Sequence, residues 1–147
     1  MQDTLQQPTS RKRKRRPTIV CIDDDPDIPR AISLILSKFD VEVIPAFTGQ
    51  QGIWQALCKN PELVITDCKM PQGEGELVLE YLKSLRKTWT VPVIVLTGLR
   101  DPQLKGHMRR LGAAGYLLKP VATARLLAEI RKHMELRERD ERPGAAT

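Results

Sequence analysis

Short apolar runs rich in β-branched residues recur along this chain: TIVCI (18–22), VEVI (41–44), LVIT (63–66), VPVIVLT (91–97) and GYLL (115–118). Several are apolar without alternation, the pattern of strands covered on both faces. Between them the period becomes helical. Ile28, Ile32, Ile35 and Leu36 share one face, as do Ile53, Ala56 and Leu57, and then Leu77, Val78, Tyr81, Leu82 and Leu85. PQLKGHMRRL (102–111) is more polar and a weaker helix, and from Thr123 onward Leu126, Leu127, Ile130 and Met134 form a new stripe. Asp25 or Asp27 is placed to cap the first helix. Pro29 favours a late start, because deeper inside it would remove a backbone hydrogen bond. This alternation predicts a doubly wound (βα)5 sandwich of the α/β class with a five-stranded parallel sheet.

In such sheets, sites lie outside the carboxyl ends of the strands. Asp23 and Asp24 follow the first run, and Asp67 follows the third. Thr97 and Gly98 follow the fourth, and Lys119 and Pro120 the fifth, whereas the second ends in Pro45 and Ala46. Three carboxylates, a hydroxyl and an ammonium thus converge on one rim. Two carboxylates about 4 Å apart repel by roughly 4 kcal/mol at an effective dielectric near 20, so something positive belongs there. Hard carboxylate oxygens suit Mg²⁺, which keeps several waters and bridges to phosphate. A carboxylate can itself attack phosphorus, and positive charge on the phosphoryl oxygens then lowers the barrier. No P-loop and no GxGxxG stands in the chain, so nucleotide binding has no support.

Composition narrows the setting. The 147 residues suit one domain, and 41% hydrophobic with 29% charged residues is ordinary for a globular protein. No apolar run approaches the roughly 18 residues a membrane-spanning helix needs, and the N-terminus lacks the apolar core of a signal peptide. Cys21, Cys58 and Cys68 have no metal-ligand spacing, which argues for reduced thiols and a cytoplasmic protein. The net charge of +6 resides in RKRKRR, Arg11–Arg16; without that run, 18 basic residues face 18 acidic ones. Residues 1–16 are therefore expected to be a disordered basic arm, residues 17–137 the folded domain, and residues 138–147 a charged helix extension and flexible tail. Glu135–Arg139 and Glu138–Arg142, at i,i+4 spacing, support the extension up to Pro143 and Gly144. The arm could touch nucleic acid non-specifically by counterion release. Without aromatic interleaving or a reading helix, a solvated tail is the favoured reading.

The acidic pair in VCIDDDPD, the segment TDCKMPQGEG, then PVIVLTG and GYLLKP together resemble the receiver domain of bacterial two-component response regulators. The resemblance implies a flavodoxin-like fold, with Asp67 as phosphoacceptor and Mg²⁺ held by Asp23, Asp24, Asp67 and the backbone carbonyl of Lys69. It implies that Thr97 and Lys119 contact the phosphoryl group and that Tyr116 is the aromatic switch residue repacking with Thr97. Pro120 would be cis-linked, and Gly98 would leave the site open. Lys69 falls where the family tunes the lifetime of the phosphorylated state. Asp25 matches no ligand and remains a cap.

By the same resemblance the chain is a stand-alone switch rather than an enzyme. A sensor histidine kinase or histidine phosphotransfer protein supplies phosphate, and residues 101–135 bind an unknown output protein or form a homodimer. Two alternatives stand beside it. One is a degenerate receiver acting as a phosphorylation-independent interaction module. The other is a haloacid-dehalogenase-like phosphatase, whose DxD Asp23 and Asp25 superficially match, although Asp27 stands where Thr or Val belongs. Cys68 reads as a packing or rim residue, His107 and His133 as surface residues, and Met70 and Pro71 as loop-shaping ones.

Overall fold

A computed structural model describes residues 15–69 and 74–140. The elements are β1 (Thr18–Ile22), α1 (Asp27–Ile35), β2 (Glu42–Ala46), α2 (Gly49–Lys59), β3 (Leu63–Thr66), α3 (Glu74–Ser84), β4 (Val93–Thr97), α4 (Pro102–Arg110), β5 (Gly115–Leu118) and α5 (Thr123–Arg131). The strands form one parallel sheet in the order β2-β1-β3-β4-β5. This is the predicted flavodoxin-like (βα)5 sandwich.

Successive side chains on a strand point to opposite faces, so continuous apolar runs feed two cores. One gathers Val20, Ile22, Val64 and Val95 with Ala56, Val78, Leu82 and Met108 from α2, α3 and α4. The other joins Ile19, Ile65, Ile94 and Leu117 to Ile32, Leu126 and Ile130 from α1 and α5. Burying each of the Val, Ile, Leu and Met side chains among them stabilises the fold by about 1.5–3 kcal/mol. The chain leaves β1 towards β2 on one side and returns to β3 on the other, opening a crevice at the carboxyl ends of β1 and β3. At the start of α1, the Asp25 carboxylate accepts from the Asp27 amide at 3.0 Å, and Pro29 falls in the first turn, where its missing N–H costs nothing.

Four local readings are corrected. In α3 the buried stripe is Val78, Leu79 and Leu82, while Leu77 and Tyr81 are exposed. The cause is Gly75, three residues before Val78 on the same face. It lies so close to the Cys68 backbone that a Cβ would collide with it, which sets the helix's rotation. β2 runs two residues past its expected end and includes Pro45, which an edge strand tolerates.

At the C-terminus, α5 stops at Arg131 instead of extending. Glu138 bridges antiparallel to Phe39, the Asp40 amide donates to the Arg137 carbonyl at 2.7 Å, and the Arg139 amide donates to that of Lys38 at 2.9 Å. Glu135 pairs with Arg137 at 3.1 Å, not with Arg139. Exposed i,i+4 pairs contribute only about 0.2–0.5 kcal/mol each. Those backbone bonds, with Met134 and Leu136 packed on the core, outweigh them.

The basic run is also anchored at its end. Arg15 donates to the Asn60 carbonyl and to Glu62, both at 3.1 Å, and Arg16 donates to the Val41 carbonyl at 2.9 Å. Arg11–Lys14, with the rest of residues 1–14, lie outside the described residues, as do Met70, Pro71 and residues 141–147. Among the described residues, no helix is long and apolar enough to cross a membrane.

Candidate functional site

The sheet brings its strand ends together as the chain order alone could not. The Asp23 amide donates to the Ala46 carbonyl and the Asp67 amide to that of Ile22, each at 3.0 Å, extending the ladder just past the strands. Both aspartates are therefore held on rigid backbone at the crevice. Each spends one carboxylate oxygen locally: Asp23 Oδ1 accepts from the Asp25 amide at 2.9 Å, and Asp67 Oδ1 from the Lys69 amide at 3.0 Å. Their other oxygens face Lys119, whose Nζ lies 2.7 Å from Asp23 Oδ2 and 3.4 Å from Asp67 Oδ2.

Asp24 is exposed beside them, and one oxygen from each of Asp23, Asp24 and Asp67 lies within 4.8 Å of the others. Three carboxylates therefore share one ammonium. Burial raises the Asp23 carboxyl above its ordinary value, against the hydrogen bond from Lys119, and the Asp67 charge adds to the rise. Burial alone would lower the Lys119 ammonium, but Asp23 and Asp67 outweigh it and hold the cation. The unbalanced charge is thus negative and sits on the aspartates. Hard oxygen donors at this spacing, with excess negative charge, fit a small divalent cation.

The remaining predicted residues surround this cluster. Thr97 is fully buried, and its hydroxyl oxygen accepts from the Leu99 amide at 3.3 Å. Tyr116 is 7% exposed, and its hydroxyl donates to the Leu99 carbonyl, also at 3.3 Å. One backbone unit, Leu99, therefore connects the hydroxyl at the rim to the ring below it. The sequence reading passed over Leu99 because only its main chain takes part. A Cβ at Gly98 would meet open space. The Lys119–Pro120 bond is cis, as expected. Lys69 is exposed next to the cluster.

Cys68 packs in the core beneath the rim, and burial pushes its thiol up, as burial pushes that of Cys21 up to about 12. Both are buried among core side chains, and Cys58 is exposed. His107 lies 3.5 Å from Glu76, half exposed. His133 is not at the surface: it is largely covered and lies 3.3 Å from the buried Glu129. Glu129 also escaped the sequence reading, since a lone Glu in a polar helical stretch carries no signal until its surroundings are known.

A parallel sheet of this order is the flavodoxin-like doubly wound class, and its acidic crevice lies at the β1/β3 switch point where such folds carry their sites. The response regulator receiver domain model matches residues 19–131, and the chain belongs to that family. It is 32% identical over 121 residues to the transcriptional regulatory protein RstA of Escherichia coli, covering 82% of this chain and 49% of the relative. It is 35% identical over 130 residues to the DNA-binding regulator RpaA of Synechocystis, covering 88% and 53%. The chain thus spans about half the length of these relatives. Among solved structures, the BeF3-activated N-terminal receiver domain of Klebsiella pneumoniae RstA matches with a TM-score of 0.72 and 29% identity, covering 79% of this chain and 97% of that one. A CheY-like receiver domain protein from Methanospirillum hungatei matches at 0.74 and 29%, covering 80% and 93%.

Proposed function

We propose that this chain is a phosphoacceptor switch of a two-component system, with Asp67 as the acceptor. Lys119 carries the reading: it spans Asp23 at 2.7 Å and Asp67 at 3.4 Å, where the oxygens of a phosphoryl group on Asp67 would need a cation. Mg²⁺, held by Asp23, Asp24, Asp67 and the Lys69 carbonyl, would neutralise charge on the entering phosphoryl group. A carboxylate oxygen of Asp67 forms the new P–O bond as the P–N bond of a donor phosphohistidine breaks. The donor imidazole leaves with the electron pair, and Lys119 pairs with the phosphoryl oxygens.

A phosphorylated side chain carries about −1.5 to −2 charge. That charge draws the Thr97 hydroxyl away from the Leu99 amide, and Leu99 passes the displacement to Tyr116. A pre-existing equilibrium between two surfaces shifts accordingly. The donor is a sensor histidine kinase or histidine phosphotransfer protein, and the changing surface is residues 101–135. The cytoplasm, where such donors present their phosphohistidines, is the setting this reading requires.

The test is incubation with Mg²⁺ and acetyl phosphate, followed by a search for an acid-stable, base-labile phosphoprotein. Wild type is expected to label and Asp67→Asn to lose the label. An unlabelled wild type would favour a degenerate interaction module, and label persisting in Asp67→Asn would displace Asp67 as acceptor. Fast turnover of unrelated phosphomonoesters would point to a phosphatase.

A further inference from the structure

We propose that the outer face formed by α2 and α3 pairs with the same face of a second copy of this chain, whether or not Asp67 carries phosphate. This goes beyond the switch reading and does not rest on it. Two close approaches orient the helices. Gly52 lies against the Ile22 side chain and Gly75 against the Cys68 backbone, and with them Ala56, Val78 and Leu82 are buried on the core side. The same rotations turn Trp54, Leu77 and Tyr81 outwards, where they are 65%, 58% and 52% exposed. Together with the partly covered Ile53 and Leu57 they line one groove of about 730 Å³.

The charge pattern agrees with a covered face. The whole chain is 29% charged, yet the 11 residues of α2 carry a single charge, Lys59 at its end. Glu80 is the only charged residue lining the groove. A solvated helix has no reason to shed its charges, whereas the centre of a protein interface is depleted in charge and enriched in Trp and Tyr. At about 150–250 Å² per aromatic side chain, the exposed parts of Trp54 and Tyr81 offer roughly 200 Å² per copy. That is about half the apolar part of a standard footprint of about 800 Å² per partner, before Leu77, Ile53 and Leu57 add to it.

These features select a second copy. An acidic partner or a nucleic acid finds no cation inside the groove, and a basic one meets the exposed Lys59, Arg86 and Lys87 where α2 and α3 end. A twofold axis across the helices avoids both conflicts, because it sets the face against itself in reverse. It runs α3 antiparallel to α2 of the other copy, so that Glu80 faces the Lys59 end, and it makes that contact twice. Asp23, Asp24, Asp67, Thr97 and Lys119 do not line the groove, so pairing leaves the acidic crevice open.

Sedimentation equilibrium of the full chain tests this. The chain should be a dimer at roughly 100 µM, with and without Mg²⁺ and BeF3⁻, and Trp54→Ala/Tyr81→Ala should raise Kd at least about tenfold. Glu80→Lys, an exposed change that leaves the core untouched, should also raise Kd, and adding Lys59→Glu should restore pairing. In a Trp89→Phe background Trp54 is the sole tryptophan, and its emission should shift to the blue as the dimer forms. A monomer throughout, a dimer that appears only with BeF3⁻, or an unchanged Kd in Trp54→Ala/Tyr81→Ala overturns the assignment. So does a dimer dispersed instead by Lys105→Glu/Arg125→Glu on α4 and α5, or a Glu80→Lys defect that Lys59→Glu fails to restore. A monomer whose Trp54 emission moves when residues 1–14 are removed overturns it in favour of the chain's own basic arm.

Discussion

At the carboxyl end of the sheet, one ammonium, Lys119, lies 2.7 Å from Asp23 and 3.4 Å from Asp67, with Asp24 close by. At the amino end the charges pair off: Arg15 with Glu62 at 3.1 Å, Arg16 with Asp40 at 3.2 Å, Lys132 with Glu129 at 3.2 Å. The same residue types therefore do different things. At the amino end most pairs are wet and roughly balanced, so they fasten chain segments at little cost and hold no chemical potential. At the carboxyl end Asp23 and Asp67 are buried and, with the exposed Asp24, outnumber their cation, so the site favours whatever brings positive charge. The amino rim ties down chain ends; the carboxyl rim carries uncompensated negative charge.

The sharpest way to break this contrast is Lys119→Met. Two buried carboxylates then lose their cation, and the fold should lose about 2–4 kcal/mol without divalent metal. Mg²⁺ should recover part of that loss in urea denaturation. A loss that Mg²⁺ leaves untouched would show that the rim is not the electrostatic reservoir described here.

A smaller effect is expected at Glu129, the one buried acid of the amino end among the described residues. Burial alone would raise its carboxyl, but Lys132 and His133 outweigh burial and hold it below the usual range. A lowered folded value means the stabilisation is complete above the unfolded value and is lost as pH falls through the folded value. Glu129→Gln should cost about 1–2 kcal/mol near neutrality. Its stability should converge with wild type in acid; curves that stay parallel throughout would remove the linkage.

Smallest is Arg16→Ala. Its ion pair is about half exposed on both sides. The variant should lose about 0.5–1 kcal/mol, shrinking as salt is added. A salt-insensitive loss several times larger would mean that the amino rim stores energy as the carboxyl rim does.

Much of the fold was legible because its signals are local. TIVCI, LVIT and GYLL are strands over the residues that the pattern predicts, since a run covered on both faces needs no knowledge of what covers it. The rim residues followed because a doubly wound sheet places every strand end on one edge. The stripe on α3 was misread because its rotation is set by Gly75 meeting the Cys68 backbone, a contact between separate elements. The C-terminal helix was overextended for a similar reason. Its i,i+4 pairs are visible in the sequence, but the competing bond to Asp40 spans nearly the whole domain.

By itself, then, the sequence determined the alternation of strands and helices, the convergence of Asp23, Asp24, Asp67, Thr97 and Lys119, and the family those motifs resemble. Periodicity and strand-end placement depend on neighbours a few residues apart. Only the tertiary structure decided that Lys119 reaches Asp23 across 96 residues, that the Leu99 backbone connects Thr97 to Tyr116, and that Arg15 meets Glu62 at the amino end. Those are facts about which distant groups meet, and charge summed along a chain says nothing about which face carries it.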